Sequence, residues 1–532
     1  MYPKDKQKVL VEVQSRVKER VLAKARASDE AFLDNLIHEV FYFEEERIRH
    51  HGYKSKCKAD RAWVGELRGR FHNASEQEKK RILGDIIDRH AGEVIGHFSE
   101  SVYRFSTSVL PIGLGFMLNA FSPLKLIRTL PKLPDVARNV IIQGEVDQLR
   151  KLQKLGTCVL APTHLSNLDS PLMGYAVYRM GLPPVTYGAG LNLFEHKFMG
   201  YFMNRLGAYK VDRLKKHSIY KEVLKEYAVA TLEHGYDNLF FPGGTRSRSG
   251  AVERKLKLGL LGAGIHAYFN NIKNKKADPK VFIIPCTLNY QLVLEAENLI
   301  EDHLKEAGKS RYIIMDDEFS MPGRIYTFLR NLVSLDERIC LTISGALDPF
   351  GNEVNDDGQS IDGRGRSIDC ARYFLRKGKL SRDFKRDAEF TRELGRKVVD
   401  SYMRDTVVFS THLLAWTVFE KLRRLAPDAD FYRFLRSGAD GISLPMVEVY
   451  QDVEKTLFQV RALADSGRIK LSEPEARDKT QAVVDRALAL FGCYHTKPVV
   501  QRRGDRLFPM DMNLLYYYRN RLWGYGLEQT SN

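Results

Sequence analysis

The stretch TCVLAPTHLSNLDSP, from Thr157 to Pro171, joins a short apolar run to two residues that a hydrophobic core rejects unless they are paired. Thr157–Ala161 has the length and composition of a buried strand. His164 and Asp169 then stand at its mouth, five positions apart. Asp169-Ser170-Pro171 also reads as a helix start, with Asp or Ser as cap and Pro in the first turn. The stretch therefore predicts strand, polar loop, helix. In open α/β sheets, ligands collect at the carboxyl ends of strands, where this loop lies.

The same rhythm runs from 150 to 350. Short apolar runs (TCVLAP, PVTYGAG, GAYKVDR, NLFFPGG, VFIIPCTLNY, ICLTISGAL) alternate with helix-like segments such as HSIYKEVLKEYAVATLEHG. This predicts an α/β domain over 150–350 with a largely parallel sheet flanked by helices. Residues 1–100 read as a helical region, with Leu10, Val13, Val17 and Val21 at helical spacing. In 101–149 the stretch Phe105 to Leu124 has no charged residue, but Pro111, Gly113, Gly115 and Pro123 interrupt it. It is expected to lie on a membrane surface or to be a buried connector rather than to span a bilayer. Residues 351–366 form a polar linker, read as a loop or hairpin. A calcium-loop register there fails at Arg364, where a bidentate Glu is required. Residues 367–532 read as a helical C-terminal region.

Composition narrows the class. Of 532 residues, 44% are hydrophobic and 28% charged, a globular balance. The formal net charge of +16 favours anionic partners: nucleic acid, lipid headgroups, phosphorylated metabolites or an acidic carrier. Six cysteines contain no CxxC pair, so neither a zinc site nor a disulfide framework is expected, and a reducing compartment fits. The N-terminus lacks the apolar core of a secretory signal.

Several signatures are excluded. Gly308-Lys309-Ser310 lacks the leading glycine of a P-loop, since His303 stands there. No G-x-S-x-G elbow is present. Basic runs such as Lys273-Asn274-Lys275-Lys276 lack the aromatics of a single-strand platform, so no nucleic-acid partner is expected. The His–Asp pair remains. With 14 histidines, about one such spacing arises by chance, so the pair needs support. FFPGGTRSRSG, Phe240 to Gly250, supplies it: glycine amides, hydroxyls and two guanidinium forks make a phosphate cradle after a strand. Gly207 to Arg213, GAYKVDR, is another strand ending in a cation. Phe194, Phe198, Tyr201 and Phe202 form an aromatic stripe, read as core before channel.

In this order and spacing, the pieces resemble the glycerolipid acyltransferases, the glycerol-3-phosphate and lysophosphatidate acyltransferase superfamily. Its H-x4-D block resembles His164 to Asp169, its second block Gly207 to Arg213, its F-P-E-G-T-R-S block Phe241 to Ser247, and its fourth Ile284-Pro285-Cys286. The resemblance spans roughly residues 150–300 and departs at Gly243, where the family has a glutamate that helps hold the acceptor.

The resemblance implies direct acyl transfer, with His164 as base and Asp169 orienting it. Arg213 and Arg246 would clamp an acceptor phosphate, and Gly244 and Thr245 would add backbone or hydroxyl contacts. It implies no cofactor and no metal. The donor would be acyl-CoA or acyl carrier protein, and the protein would sit at the cytoplasmic face of a membrane, peripheral or monotopic. The large helical flanks favour glycerol 3-phosphate as acceptor over lysophosphatidate. A non-catalytic binder of anionic lipid that keeps the fold is the alternative that Gly243 raises.

Overall fold

The computed structural model describes residues 1–51, 55–106, 140–191, 194, 197–307, 338–437, 441–492 and 495–527. The uncharged stretch from Thr107 onward, and Gly308-Lys309-Ser310, lie outside them. Among the described residues no helix is long and apolar enough to cross a membrane.

Seven strands form the central sheet: β1 (Val140–Gly144), β2 (Thr157–Pro162), β3 (Thr186–Gly190), β4 (Ala208–Val211), β5 (Asn238–Leu239), β6 (Val281–Tyr290) and β7 (Ile339–Ile343). Their order is β1-β7-β6-β2-β5-β3-β4. The neighbours from β6 through β4 pair in parallel, and β7 runs antiparallel to β6 with β1 parallel to β7. The sheet is thus largely parallel, as the alternating pattern predicted. β2 and β6 are buried along their whole length, which explains why they read as unbroken apolar runs. The two share a register in which Leu160 faces Ile284 and Ala161 faces Pro285.

Side chains alternate across the sheet with the period of two that strand geometry imposes. Cys158, Leu160, Ile284 and Cys286 enter one core with Leu414, Val418, Leu515 and Tyr518. Val159, Ala161, Val281 and Ile283 enter the opposite core with Ala228, Leu232, Leu394, Val398 and Tyr402. The helix Phe384–Arg404 therefore covers one face, and the helices Ser410–Leu425 and Met512–Arg519 cover the other.

At the N-terminus, α1 (Pro3–Arg26), α2 (Phe32–His51), α3 (Ser55–Phe71) and α4 (Glu76–Val94) build a helical layer. Val9, Val13, Val17 and Val21 are the buried stripe of α1, with Leu10 half-buried beside it. They pack with Ile219, Val223 and Tyr227 of the helix Ser218–Glu233. Arg16 and Arg20 reinforce that contact through ion pairs to Glu233 at 2.7 Å and Glu222 at 2.9 Å.

The polar stretch 351–366 contributes short antiparallel pairs, Glu353–Val354 with Ser360–Ile361, and the latter with Ser367–Ile368. The aromatic stripe divides: Phe194 packs with Ala189, Met203 and Ala208, whereas Tyr201 is 47% exposed with the Arg205 guanidinium over its ring.

Candidate active site

Because β2, β5 and β4 run in parallel, the residues following each strand emerge at one edge of the sheet. His164 follows β2, Phe241 to Arg248 follow β5, and Arg213 follows β4. The parallel topology thus brings together segments about eighty residues apart in the chain.

His164 Nδ1 lies 2.8 Å from Asp169 Oδ2. The same oxygen accepts the backbone N–H groups of Leu165 at 2.6 Å and Ser166 at 2.9 Å. Tyr290, at the end of β6, donates its hydroxyl to Asp169 Oδ1. A carboxylate oxygen that collects N–H donors requires a donor from the ring as well, so Nδ1 carries the imidazole hydrogen and Nε2 keeps its lone pair. Asp169 is fully buried in the first turn of the helix Asp169–Arg179, but its hydrogen bonds reach back to residues 164–166. It is therefore more than a helix cap. Burial lowers the His164 pKa, the Asp169 contact opposes that, and Arg246 and Arg213 lower it further. The ring stacks on Phe241, with centroids 4.2 Å apart and planes 25° apart.

The loop after β5 is fastened to the His164 segment. Ser247 donates its backbone N–H to the His164 carbonyl at 2.7 Å. Gly244 adopts a left-handed conformation, φ +74°, and its N–H closes a turn onto the Phe241 carbonyl at 3.0 Å. That conformation strains any residue with a Cβ. Thr245 follows, half-buried. Arg246 extends toward Glu295, 3.4 Å away. Arg213 has no hydrogen bond or ion pair among the described residues, and burial, Arg246 and Arg248 all lower its pKa. Arg213 thus leaves uncompensated positive charge beside His164 and near the Arg246 guanidinium. That arrangement suits a dianionic phosphate.

The structure thus places His164, Asp169, Gly244, Thr245, Arg246 and Arg213 at one edge of the sheet. Sequence reading missed four participants. Tyr290 and Glu295 follow the fourth block; Glu295 is buried and holds Ser166 Oγ and the Asn167 N–H, each at 2.8 Å. An acid at the end of the apolar run Leu292-Val293-Leu294 was the available signal for it. Phe241 sat in a quoted motif but was not assigned a role. Glu253, whose carboxyl oxygen accepts the His164 N–H at 2.8 Å, lies three residues beyond the quoted loop Phe240 to Gly250.

These geometries can be set beside known proteins. An acyltransferase family model matches residues 143–289, the span that contains the His–Asp pair, both arginine loops and β6 up to Asn289. Over this span the chain is similar to glycerol-3-phosphate acyltransferases, which supports the glycerolipid acyltransferase reading of the site. The glycerol-3-phosphate acyltransferase of Pseudomonas aeruginosa PAO1 is 27% identical over 248 residues, 46% of this chain and 26% of that protein. That of Histophilus somni is 28% identical over 261 residues, 49% of this chain and 29% of its own length. That of Pseudoalteromonas translucida is 32% identical over 168 residues, 31% and 19% respectively. The chain therefore spans about a quarter of the length of the curated relatives it matches. Within this site Gly243 remains the departure from the block it resembles, and the Glu253 carboxyl lies against it.

A second polar cluster brings possible metal ligands of Glu44, His90 and His217 within 4.8 Å of one another. Ion-pair contacts surround it, and Glu44 Oε1, His90 Nε2 and His217 Nε2 have no hydrogen-bond partner among the described residues. His217 Nδ1 accepts the Tyr220 N–H at 3.2 Å, so its Nε2 carries the ring hydrogen and faces Glu44 Oε1 at 3.4 Å. The Lys215 ammonium stands 3.5 Å from the same oxygen and 3.2 Å from His90 Nδ1. With Arg47 3.9 Å from Asp212, this cluster holds the loop that carries Arg213 against α2 and α4.

Proposed function

We propose that this chain is an O-acyltransferase that moves a fatty acyl group from a thioester donor to a glycerol-phosphate-type acceptor, with glycerol 3-phosphate as that acceptor. The carrying observation is the His164–Asp169 pair at 2.8 Å beside a cluster of guanidinium groups.

The acceptor phosphate lies against Arg246 and Arg213, which sets a hydroxyl beside His164 Nε2. The imidazole takes the hydroxyl proton as the oxygen attacks the thioester carbonyl. The C–O bond forms, the tetrahedral intermediate collapses, the C–S bond breaks, and the imidazolium returns its proton to the leaving sulfur. Asp169 keeps the ring in the working tautomer and offsets the charge that develops on it. Holding acceptor and base together replaces an encounter with a positioned reaction. The donor, acyl-CoA or acyl carrier protein, is anionic, which the net charge of +16 favours. The same charge suits a peripheral position at the cytoplasmic face of an anionic membrane.

The test is an assay of purified protein with labelled acyl-CoA or acyl carrier protein thioester against glycerol 3-phosphate, lysophosphatidate and unphosphorylated glycerol. Transfer to glycerol 3-phosphate that disappears in His164→Ala supports the proposal. Transfer only to lysophosphatidate changes the acceptor. Liposome binding without turnover in the wild type replaces the reading with that of a lipid-binding protein.

A further inference from the structure

Gly243 is a glycine for want of space rather than for its torsion angle. It is absent from the residues with positive φ, so its backbone accepts any L side chain. A Cβ built there, however, would lie 2.5 Å from Glu253 Oε2, 2.6 Å from its Cδ and 2.9 Å from its Oε1. The carboxyl of a residue ten positions downstream occupies the room that a side chain at 243 would need.

That carboxyl does two things. Oε1 accepts the backbone N–H of His164 at 2.8 Å. Oε2 is buried and has no hydrogen-bond partner among the described residues. Leaving such an oxygen unsatisfied costs on the order of 1–3 kcal/mol, a cost that packing alone does not require. The groups around Glu253 are Asp169, Arg521, Tyr402 and the His164 main chain. Asp169 and Arg521 act on it in opposite senses, and burial dominates, holding its pKa up to about 8. A carboxyl that keeps its proton at neutral pH can lie near Asp169 without repelling it. Arg521 reaches this place from the C-terminal helical region, where it donates to the Leu288 carbonyl at 3.1 Å and to Asn289 Oδ1 at 2.7 Å.

We infer that Glu253 is a positioning residue of this site: it takes the place of a side chain at 243 and from there holds the His164 main chain, so that the imidazole meets the acceptor. In the family the chain resembles, position 243 is a glutamate. Here an acid group reaches the same spot from another point in the chain, with Gly243 as the necessary complement. The inference rests on the acyl-transfer reading of the same site. The carboxyl in that space serves the base, through the His164 N–H, rather than the acceptor.

The experiment combines kinetics with exchange at one amide. Glu253→Ala is expected to lower kcat about 10- to 100-fold, with acceptor KM changed far less, because displacing a base by an ångström carries that cost. Glu253→Gln keeps the accepting oxygen and should recover most of that loss. Gly243→Ala should lower kcat as well, and Gly243→Ala combined with Glu253→Ala should be no worse than Glu253→Ala alone. Gly243→Glu with Glu253→Gly, which moves the carboxyl back, should exceed Glu253→Gly in rate. Hydrogen exchange of the His164 amide reads the contact without any turnover: it should accelerate at least about tenfold in Glu253→Ala and stay slow in Glu253→Gln. Circular dichroism and melting confirm that each variant folds. Unchanged kcat and unchanged exchange in Glu253→Ala, or a harmless Gly243→Ala, would overturn the inference. If the wild type transfers no acyl group at all, the acyl-transfer reading fails, and the exchange result still decides whether Glu253 holds residue 164.

Discussion

Arg246 and Glu295 form an ion pair at 3.4 Å in which the acid is buried and the guanidinium is partly open to solvent. Glu295 also fixes Ser166 Oγ and the Asn167 N–H, so one carboxyl ties the arginine to the loop that carries His164. Burial raises the Glu295 pKa, and Arg246 counters it. Arg246→Ala should therefore raise acceptor KM about 10- to 100-fold, the range expected for losing a charge-assisted hydrogen bond. Glu295→Ala should impair both KM and kcat, since it loosens the arginine and the loop together. Steady-state kinetics against acceptor concentration separate the two; equal KM in Arg246→Ala and wild type would remove the arginine from the phosphate site.

Asp169 is the better probe of catalysis when changed to Asn. The amide keeps the volume but offers a donor where Leu165, Ser166 and His164 need an acceptor. A fall in kcat of at least about 100-fold is expected, within the range of general-base catalysis. Tyr290→Phe removes one donor to the far oxygen and should cost far less, roughly tenfold or below, on the scale of one hydrogen bond. A Tyr290→Phe loss equal to that of Asp169→Asn would mean that the tyrosine takes part in proton transfer.

The acid limb of the rate profile follows from His164. Burial, Arg246 and Arg213 hold its pKa below the ordinary histidine value. The base is neutral above that pKa and lost to protonation below it. The rate should therefore stay flat as pH falls to about 6.5 and decline only at lower pH. Arg246→Lys, which retains a cation, should leave the midpoint low, and Arg246→Ala should move it upward. A wild-type midpoint above 7 would contradict the electrostatics described.

Stability should also weaken in acid. Buried His90 and His412 have pKa values lowered to about 4 and about 3, and desolvation is the leading cause in both. In the unfolded chain they protonate near 6.5. Between those values the unfolded state binds more protons, so stability is lost as pH falls from about 6.5 toward 3, at up to roughly 1.4 kcal/mol per pH unit per histidine. Melting temperatures from pH 7 to pH 4 test this, and His412→Gln should flatten the slope. A melting temperature independent of pH in that window would refute it.

The C-terminal helices are tested at Gly250. Its φ is +78°, and a Cβ there would lie 2.2 Å from the Tyr517 carbonyl. Asn520 donates to the Ser249 carbonyl at 2.9 Å, which docks the arginine loop on the last helix. Gly250→Ala should displace that loop and lower activity at least about tenfold. A Gly504→Ala control, with positive φ but open surroundings, should cost backbone strain alone. Equal effects at the two positions would deny the loop contact a role.

The sheet was legible from the chain because buried parallel strands must be continuous apolar runs and their connecting helices must be amphipathic. TCVLAP and VFIIPCTLNY have no other stable place than the middle of such a sheet. The residues that follow the strands were legible for the same reason: polar side chains at strand ends cannot enter the core, so His164, Asp169 and the arginines stood out. Distance along the chain hid the rest. Tyr290, Glu295, Glu253 and Arg521 act on the His164 segment from roughly ninety to more than three hundred and fifty residues away. No local period reports a contact of that kind. Whether Gly243 meant a missing acid or a vacated space could be decided only where the chain folds back on itself, since two side chains cannot occupy one volume.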